Sequence, residues 1–131
     1  MDADTRRAAD YNHRMGLVSV IGVVTGPRGI SRTVEFLVDS GAKYSVLPED
    51  VWRALGLEPK RRMTFVLADG SRIERNISEC HIELPQGDGH TPVVLGEGSD
   101  EPLLGVITLE MLGFILYPFD RTIRPARMML A

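Results

Sequence analysis

Short segments along the chain either alternate apolar and polar residues or form brief apolar runs. An aliphatic run from Leu17 to Val24 is followed by the turn residues TGPRG, and ISRTVEFLVD then alternates before it becomes wholly apolar. Alternation with a period of two, interrupted by turn residues, is typical of strands joined as a hairpin. We therefore predict a hairpin whose second strand begins half exposed and ends buried at Asp39.

Two short segments have helical signals instead. In LPEDVWRALG, Pro48 suits a first helical position and Gly56 suits the C-terminal stop. Val51 and Leu55 are four residues apart, so they are expected to face the core. The segment ITLEMLG is the second helix candidate.

Most of the remaining chain is predicted to form strands. MTFVLADGSRIER places two strand-like runs on either side of Asp69-Gly70, a strong hairpin signal. ISECHIEL and TPVVLG follow as strands with a loop from Gln86 to His90 between them, and FILYPF and ARMML close the chain as terminal strands. Many short strands with two minor helices predict a mostly β sandwich or barrel. We expect one domain over residues 16–131, preceded by a polar tail over residues 1–15.

Composition narrows the possible functions. The 131 residues carry a net charge of −3 and give a pI of about 5.6, so no basic surface for nucleic acid is expected. The single cysteine, Cys80, cannot form an internal disulfide. No apolar run approaches the roughly 20 residues that cross a bilayer, and the polar start of the chain does not look like a secretory signal. We therefore expect a cytoplasmic protein without nucleic-acid or membrane partners.

A carboxylate and a hydroxyl stand where the second strand ends, in the motif DSGA from Asp39 to Ala42. Ionised groups are costly to bury at the end of an apolar strand, so the motif needs a chemical reason. Ser45 follows three residues after Ala42, the Asp69-Gly70 hairpin comes later, and LLG at 103–105 precedes the second helix. In these residues and their order, from about residue 17 to 130, the chain resembles the retropepsin-like aspartic proteases, particularly the single-domain bacterial members.

The resemblance implies a closed β barrel or sandwich with one or two short helices that works as a two-fold homodimer. Asp39 of each subunit would meet its partner at the axis. Two carboxylates about 3 Å apart share one proton, which is a general property of aspartic proteases. The ionised carboxylate would take a proton from a water that attacks the peptide carbonyl, and the neutral one would hydrogen-bond the carbonyl oxygen. The substrate would be a polypeptide, and neither a metal nor another cofactor is expected.

The same resemblance gives roles to the neighbouring residues. Ser40 would hydrogen-bond across the axis, and Gly41 would allow close backbone approach. Ala42 stands where two-lobed relatives place a hydroxyl that donates to the catalytic carboxylate, so we expect a pH optimum nearer mild than strong acid. Leu103 and Leu104 would pack beneath the catalytic loop, and Gly105 would let its strand pass close to that loop. The flap that closes over the substrate would have its tip at Ala68, Asp69 and Gly70.

Other interpretations stay open from the sequence alone. The same fold with little turnover would be a dimerisation or peptide-binding module, and an isolated monomer would leave each half-site inactive. Cys80-His81 lacks the spacing of a metal site. The acidic loop GEGSDE lacks the full calcium-loop pattern, and is expected to be a solvated loop. RPARMMLA at the C-terminus is the candidate strand for the dimer interface.

Overall fold

The structure, a computed structural model, describes residues 18–117 and 122–126. The predicted tail at residues 1–15 and most of RPARMMLA lie outside these ranges. The elements are β1 (Val18–Thr25), β2 (Ser31–Val38), β3 (Ser45–Leu47), α1 (Glu49–Ala54), β4 (Arg61–Val66), β5 (Arg72–Leu84), β6 (Gly87–Leu95), β7 (Leu103–Leu104), α2 (Val106–Leu112), β8 (Phe114–Tyr117) and β9 (Thr122–Pro125).

Seven of the strands form one sheet that closes on itself. Their order is β1-β2-β7-β3-β6-β5-β4, and β1 also pairs with β5. The ring therefore consists of β1, β2, β7, β3, β6 and β5, while β4 extends outward from β5 as a hairpin arm. This arrangement confirms the predicted mostly β fold and favours the barrel over the open sandwich, because ring closure leaves few unpaired edges.

The core follows the alternation that the sequence shows. In β2, Val34, Phe36 and Val38 are buried while the residues between them are more exposed. Leu47 on β3 and Leu104 on β7 are also fully buried. The three side chains of β2 thus point into the barrel along its whole length, and the strand delivers its last residue to the barrel end where Asp39 follows.

The two predicted helices are present. Pro48 is the N-cap of α1 rather than its first helical residue, and Val51 and Leu55 are buried as expected. Gly56 has φ of +72°, a left-handed conformation that ends the helix and favours glycine. Trp52 anchors α1 to the loop after β6, since its Nε1–H donates to the Gly96 carbonyl at 2.8 Å.

Two predictions about the middle of the chain were wrong. RIER and ISECHIEL form one 13-residue strand, β5, because its first part pairs with β4 and its later part with β6 and β1. The predicted loop from Gln86 to His90 is mostly strand, since β6 already begins at Gly87. A Cβ at Gly87 would lie 3.0 Å from the Phe114 ring, and one at Gly89 would lie 2.7 Å from a Leu112 methyl. Both glycines therefore lie in a strand that packs closely against neighbouring side chains.

The structure also has a strand near the C-terminus that the sequence did not predict, since Thr122–Pro125 pairs with β8. The apolar Ile123 of this strand is buried between exposed neighbours. The predicted strand ARMML lies almost wholly outside the described residues. Within the described ranges, no helix has the length and apolar character to cross a membrane.

Candidate active site

Asp39 lies directly after β2, at the end of the barrel where β2 and β7 run side by side. The two strands are parallel, with Val38 opposite Leu104. The Asp39 N–H donates to the Leu104 carbonyl at 3.3 Å, which continues this pairing one residue beyond β2. The sequence separates Asp39 from Leu104 widely, yet the fold brings them into direct contact, as the resemblance implied.

The Asp39 side chain is held at one of its oxygens. Oδ1 accepts a hydrogen bond from the Gly41 N–H at 2.8 Å, and the Asp39 carbonyl accepts one from the Ala42 N–H at 3.1 Å. Oδ2 accepts no hydrogen bond from any residue that the structure describes. Ser40 and Gly41 are exposed, whereas Asp39 and Ala42 are half-buried. Residues 39–43, which we call the catalytic loop after the role expected from the sequence, therefore present a fixed and half-buried carboxylate.

The start of α2 holds the other side of the catalytic loop. Val106 N–H donates to the Ala42 carbonyl at 2.8 Å, and Ile107 N–H donates to the Lys43 carbonyl at 2.9 Å. Gly105 makes this approach possible, because a Cβ there would lie 2.5 Å from the Lys43 carbonyl oxygen. Two free N–H groups of a helix start are thus satisfied by loop carbonyls, which fixes the loop without using a side chain.

Three hydroxyls are buried behind the loop. Ser45 and Thr108 have no exposed surface and Thr91 is 2% exposed. Ser45 Oγ and Thr108 Oγ1 lie 2.5 Å apart, and Thr108 Oγ1 and Thr91 Oγ1 lie 2.8 Å apart. Ser45 belongs to the pattern that the sequence identified, whereas Thr91 and Thr108 were missed. Neither threonine belongs to a motif that the sequence analysis identified.

The predicted flap is the hairpin of β4 and β5, and its turn is well ordered by internal bonds. Leu67 N–H donates to the Ser71 carbonyl at 2.8 Å and Gly70 N–H to the Leu67 carbonyl at 2.9 Å. Gly70 has φ of +86°, so glycine is favoured there. Asp69 Oδ1 accepts from both the hydroxyl and the N–H of Ser71, and these hydrogen bonds lower the pKa of Asp69. Ala68, Asp69 and Gly70 are all exposed.

Tyr44 links the flap to the catalytic loop, which the sequence did not indicate. Its ring meets the Phe65 ring edge to face, with centroids 5.8 Å apart. Arg61 Nη2 also donates to the Tyr44 hydroxyl at 3.4 Å. Arg61 and Phe65 lie on the same face of β4, so this face turns toward the segment that follows Asp39. Aromatic pairs of this kind contribute about 0.5–1.5 kcal/mol beyond the area that they bury.

The acidic loop is less solvated than the sequence indicated. Asp100 accepts from Arg75 Nε at 2.8 Å and from the Glu97 N–H at 2.9 Å. Burial opposes ionisation of Asp100, but the hydrogen bonds outweigh it and hold its pKa below the usual range. Arg75 is on β5, so this pair ties the loop before β7 to the base of the flap.

A cavity of about 710 Å³ lies away from Asp39, and its walls include Arg28, Lys60, Cys80 and His90 but no residue of the catalytic loop. Burial raises the pKa of the Cys80 thiol to about 12, so this cysteine is not a nucleophile at ordinary pH. In the two described ranges no group of three potential ligands is placed to hold a metal ion.

Sequence comparison agrees with this geometry. Among curated proteins, none matches this chain. A model of the family described as "gag-polyprotein putative aspartyl protease" matches residues 30–111. The matched range contains the catalytic loop, the flap and the Leu104–Gly105 contact, and it covers more than half of the chain. The chain therefore belongs to this family of retropepsin-like aspartyl proteases.

Proposed function

We propose that the protein is an aspartic endopeptidase that cleaves polypeptides as a two-fold homodimer, with one Asp39 from each subunit. The observation that carries the proposal is the accessible Asp39 carboxylate, fixed through Oδ1 by the Gly41 N–H at 2.8 Å, in a chain of the aspartyl protease family. A carboxylate held in this way is oriented for chemistry and still open to water, substrate or a second subunit.

A single chain supplies only half of the required chemistry. Hydrolysis of a peptide bond needs one group that takes a proton from the attacking water and another that gives a proton to the leaving amine. A two-fold axis next to Asp39 would place two copies of the same carboxylate together, where like charges are avoided when the pair holds one proton. General acid and base catalysis of this kind contributes a rate factor of about 10² to 10⁴.

The surroundings of Asp39 support this arrangement. Ser40 follows Asp39 and is exposed in the single chain, and in the proposed dimer it would donate across the axis. Leu104 packs in the core beneath the loop and receives the Asp39 N–H, so it supports the carboxylate from behind. Ala42 would line the same site. The flap, with Ala68, Asp69 and Gly70 at its tip, would close over an extended peptide and pair with its backbone.

Cleavage of an unstructured polypeptide at mildly acidic pH tests the proposal. Wild type is expected to cleave it, whereas Asp39→Asn and Asp39→Ala are not. Asp50→Asn is the matched control, because Asp50 is an exposed carboxylate on α1 outside the site. Sedimentation of every variant would show whether the dimer persists. A folded wild-type dimer that never cleaves would favour the peptide-binding module instead.

Mixing subunits tests the need for two carboxylates. If wild type and Asp39→Asn chains exchange freely in equal amounts, about a quarter of the dimers keep both acids, as random pairing in a two-fold dimer requires. Activity per wild-type chain should then fall to about half of its undiluted value. Activity that stays proportional to the wild-type chains would mean that one Asp39 is sufficient, which contradicts the proposal.

A further inference from the structure

A chain of buried hydrogen bonds begins at the backbone next to the catalytic loop. Gly105 N–H donates to Ser45 Oγ at 3.0 Å, and Ser45 Oγ lies 2.5 Å from Thr108 Oγ1. Thr108 Oγ1 lies 2.8 Å from Thr91 Oγ1, and the Thr91 hydroxyl reaches the Pro92 carbonyl at 3.2 Å. This chain of hydrogen bonds joins a loop, a helix and two strands, and its three hydroxyl residues are buried.

Proton counting fixes the direction of every bond in this chain. Each hydroxyl has one hydrogen to donate. The Thr91 hydrogen goes to the Pro92 carbonyl, so Thr91 can only accept from Thr108. The Thr108 hydrogen is then used, so Ser45, which accepts from the Gly105 N–H, donates its own hydrogen to Thr108. All donors point the same way from Gly105 to Pro92, and aligned hydrogen bonds of this kind strengthen one another.

The first donor in this series of hydrogen bonds, the Gly105 N–H, belongs to the same peptide group that accepts the Asp39 N–H. The Gly105 N–H and the Leu104 carbonyl are parts of one planar peptide group. The N–H side donates to Ser45, and the carbonyl side accepts from the Asp39 N–H at 3.3 Å. Because the group is planar, a rotation that releases Ser45 also turns the Leu104 carbonyl away from Asp39.

We propose that Thr108 is a positioning residue for the catalytic carboxylate, acting through Ser45 and the Leu104–Gly105 peptide group. Without the Thr108 hydroxyl, the buried Ser45 hydrogen has no acceptor and Thr91 has no donor. An unsatisfied buried hydroxyl is unfavourable, so Ser45 would turn toward another partner and release the Gly105 N–H. Asp39 would then lose its fixed backbone support. This inference rests on the proposed protease activity for its kinetic consequences only.

Thr108→Val tests the inference, because valine keeps the shape of threonine and removes its hydroxyl. A small displacement of reacting groups costs up to about 10²-fold in rate, so we expect kcat to fall about tenfold while KM stays unchanged. Thr108→Ser restores the hydroxyl and should recover most of kcat. Ile82→Val is the control for lost packing, since Ile82 is fully buried in β5 and its strand partners are Val24 and Gly89, not residues of the hydroxyl chain.

Hydrogen exchange of the Asp39 and Gly105 amides is the second measurement, and it needs no substrate. Relative to global unfolding of the same variant, both amides should exchange about tenfold faster in Thr108→Val than in wild type, Thr108→Ser or Ile82→Val. If wild type cleaves nothing, the proposed function fails while the exchange data still decide this inference. If Thr108→Val does not fold, Thr91→Val breaks the same chain one link further away.

The inference would be overturned if Thr108→Val or Thr91→Val kept the kcat of wild type and its rate of amide exchange at Asp39. It would also be overturned if Thr108→Ser were as impaired as Thr108→Val, because the methyl group rather than the hydroxyl would then be responsible.

Discussion

Replacing Gly105 by alanine should damage the candidate site without touching a catalytic group. The new Cβ would lie 2.5 Å from the Lys43 carbonyl oxygen and 2.5 Å from the Tyr44 carbonyl carbon. Ordinary contacts of a Cβ begin at about 3.4 Å, so the backbones must separate by roughly 0.9 Å. The catalytic loop is the side that can yield, because Gly105 is followed at once by the helix α2.

The size of the effect follows from this displacement. Overpacking of a close-packed contact costs about 1–3 kcal/mol in the free energy of unfolding. A shift of about 1 Å in a catalytic group can cost about 10²-fold in rate, so kcat/KM should fall by about that factor. Urea unfolding would measure the first quantity, and cleavage of an unstructured polypeptide by the folded dimer would measure the second.

Gly29→Ala is the matched control for this experiment. Gly29 lies in the β1–β2 turn, at the opposite end of β2 from Asp39, with φ of +79° and no atom within 4 Å of an added Cβ. Alanine at this position should lower the free energy of unfolding by about 1 kcal/mol, through backbone strain alone, and should leave kcat/KM unchanged. The reasoning would be refuted if Gly105→Ala kept wild-type stability and activity, or if Gly29→Ala lost as much activity as Gly105→Ala.

Three further predictions concern charged and titratable groups. Arg75→Met should lower the free energy of unfolding by about 1 kcal/mol at neutral pH, because the partly exposed Asp100 loses its ion-pair partner. The pKa of Asp100 is lowered in the folded protein, so this loss of stability is present above the ordinary value of 3.8. Urea titrations at strongly acidic pH should show no difference between the variant and wild type. Ser71→Ala should raise the pKa of Asp69 toward 3.8 in an NMR titration, and an unchanged pKa would contradict the role of the hydroxyl. Cys80, with its pKa raised to about 12 by burial, should resist a thiol reagent in the native protein and react once urea unfolds it.

Local features of the fold were predictable from the sequence. The pattern in ISRTVEFLVD predicted that β2 begins exposed and ends buried, and the glycines after the two predicted helices lie where the helices end. The burial of β2 and the helix ends depend on residues that lie close together in the chain. The contact between Asp39 and Leu104 joins distant residues, and it could be expected only because the family pattern contains both DSGA and LLG.

Features set by distant partners were not predictable in the same way. β5 continues without a break at Ile77, because its pairing with β4 ends there and its pairing with β6 has already begun. No residue near Ile77 indicates this change of partner. Thr91 and Thr108 become partners only after β6 and α2 pack together. The segment predicted as a loop from Gln86 to His90 contains Gly87 and Gly89. The sequence alone does not distinguish a glycine within a closely packed strand from a glycine in a turn.

The continuity of β5 has a mechanical consequence. β4 is its neighbour up to Ile77 and β1 becomes its neighbour at His81, so residues 78–80 are paired along one edge only, with β6. This gap in strand pairing lies between the closed barrel and the projecting hairpin, and the Ser78 hydroxyl bridges it with a hydrogen bond to the Glu58 carbonyl. Opening of the flap should therefore be a swing of the whole arm about residues 78–80, with the tip carried along unbent.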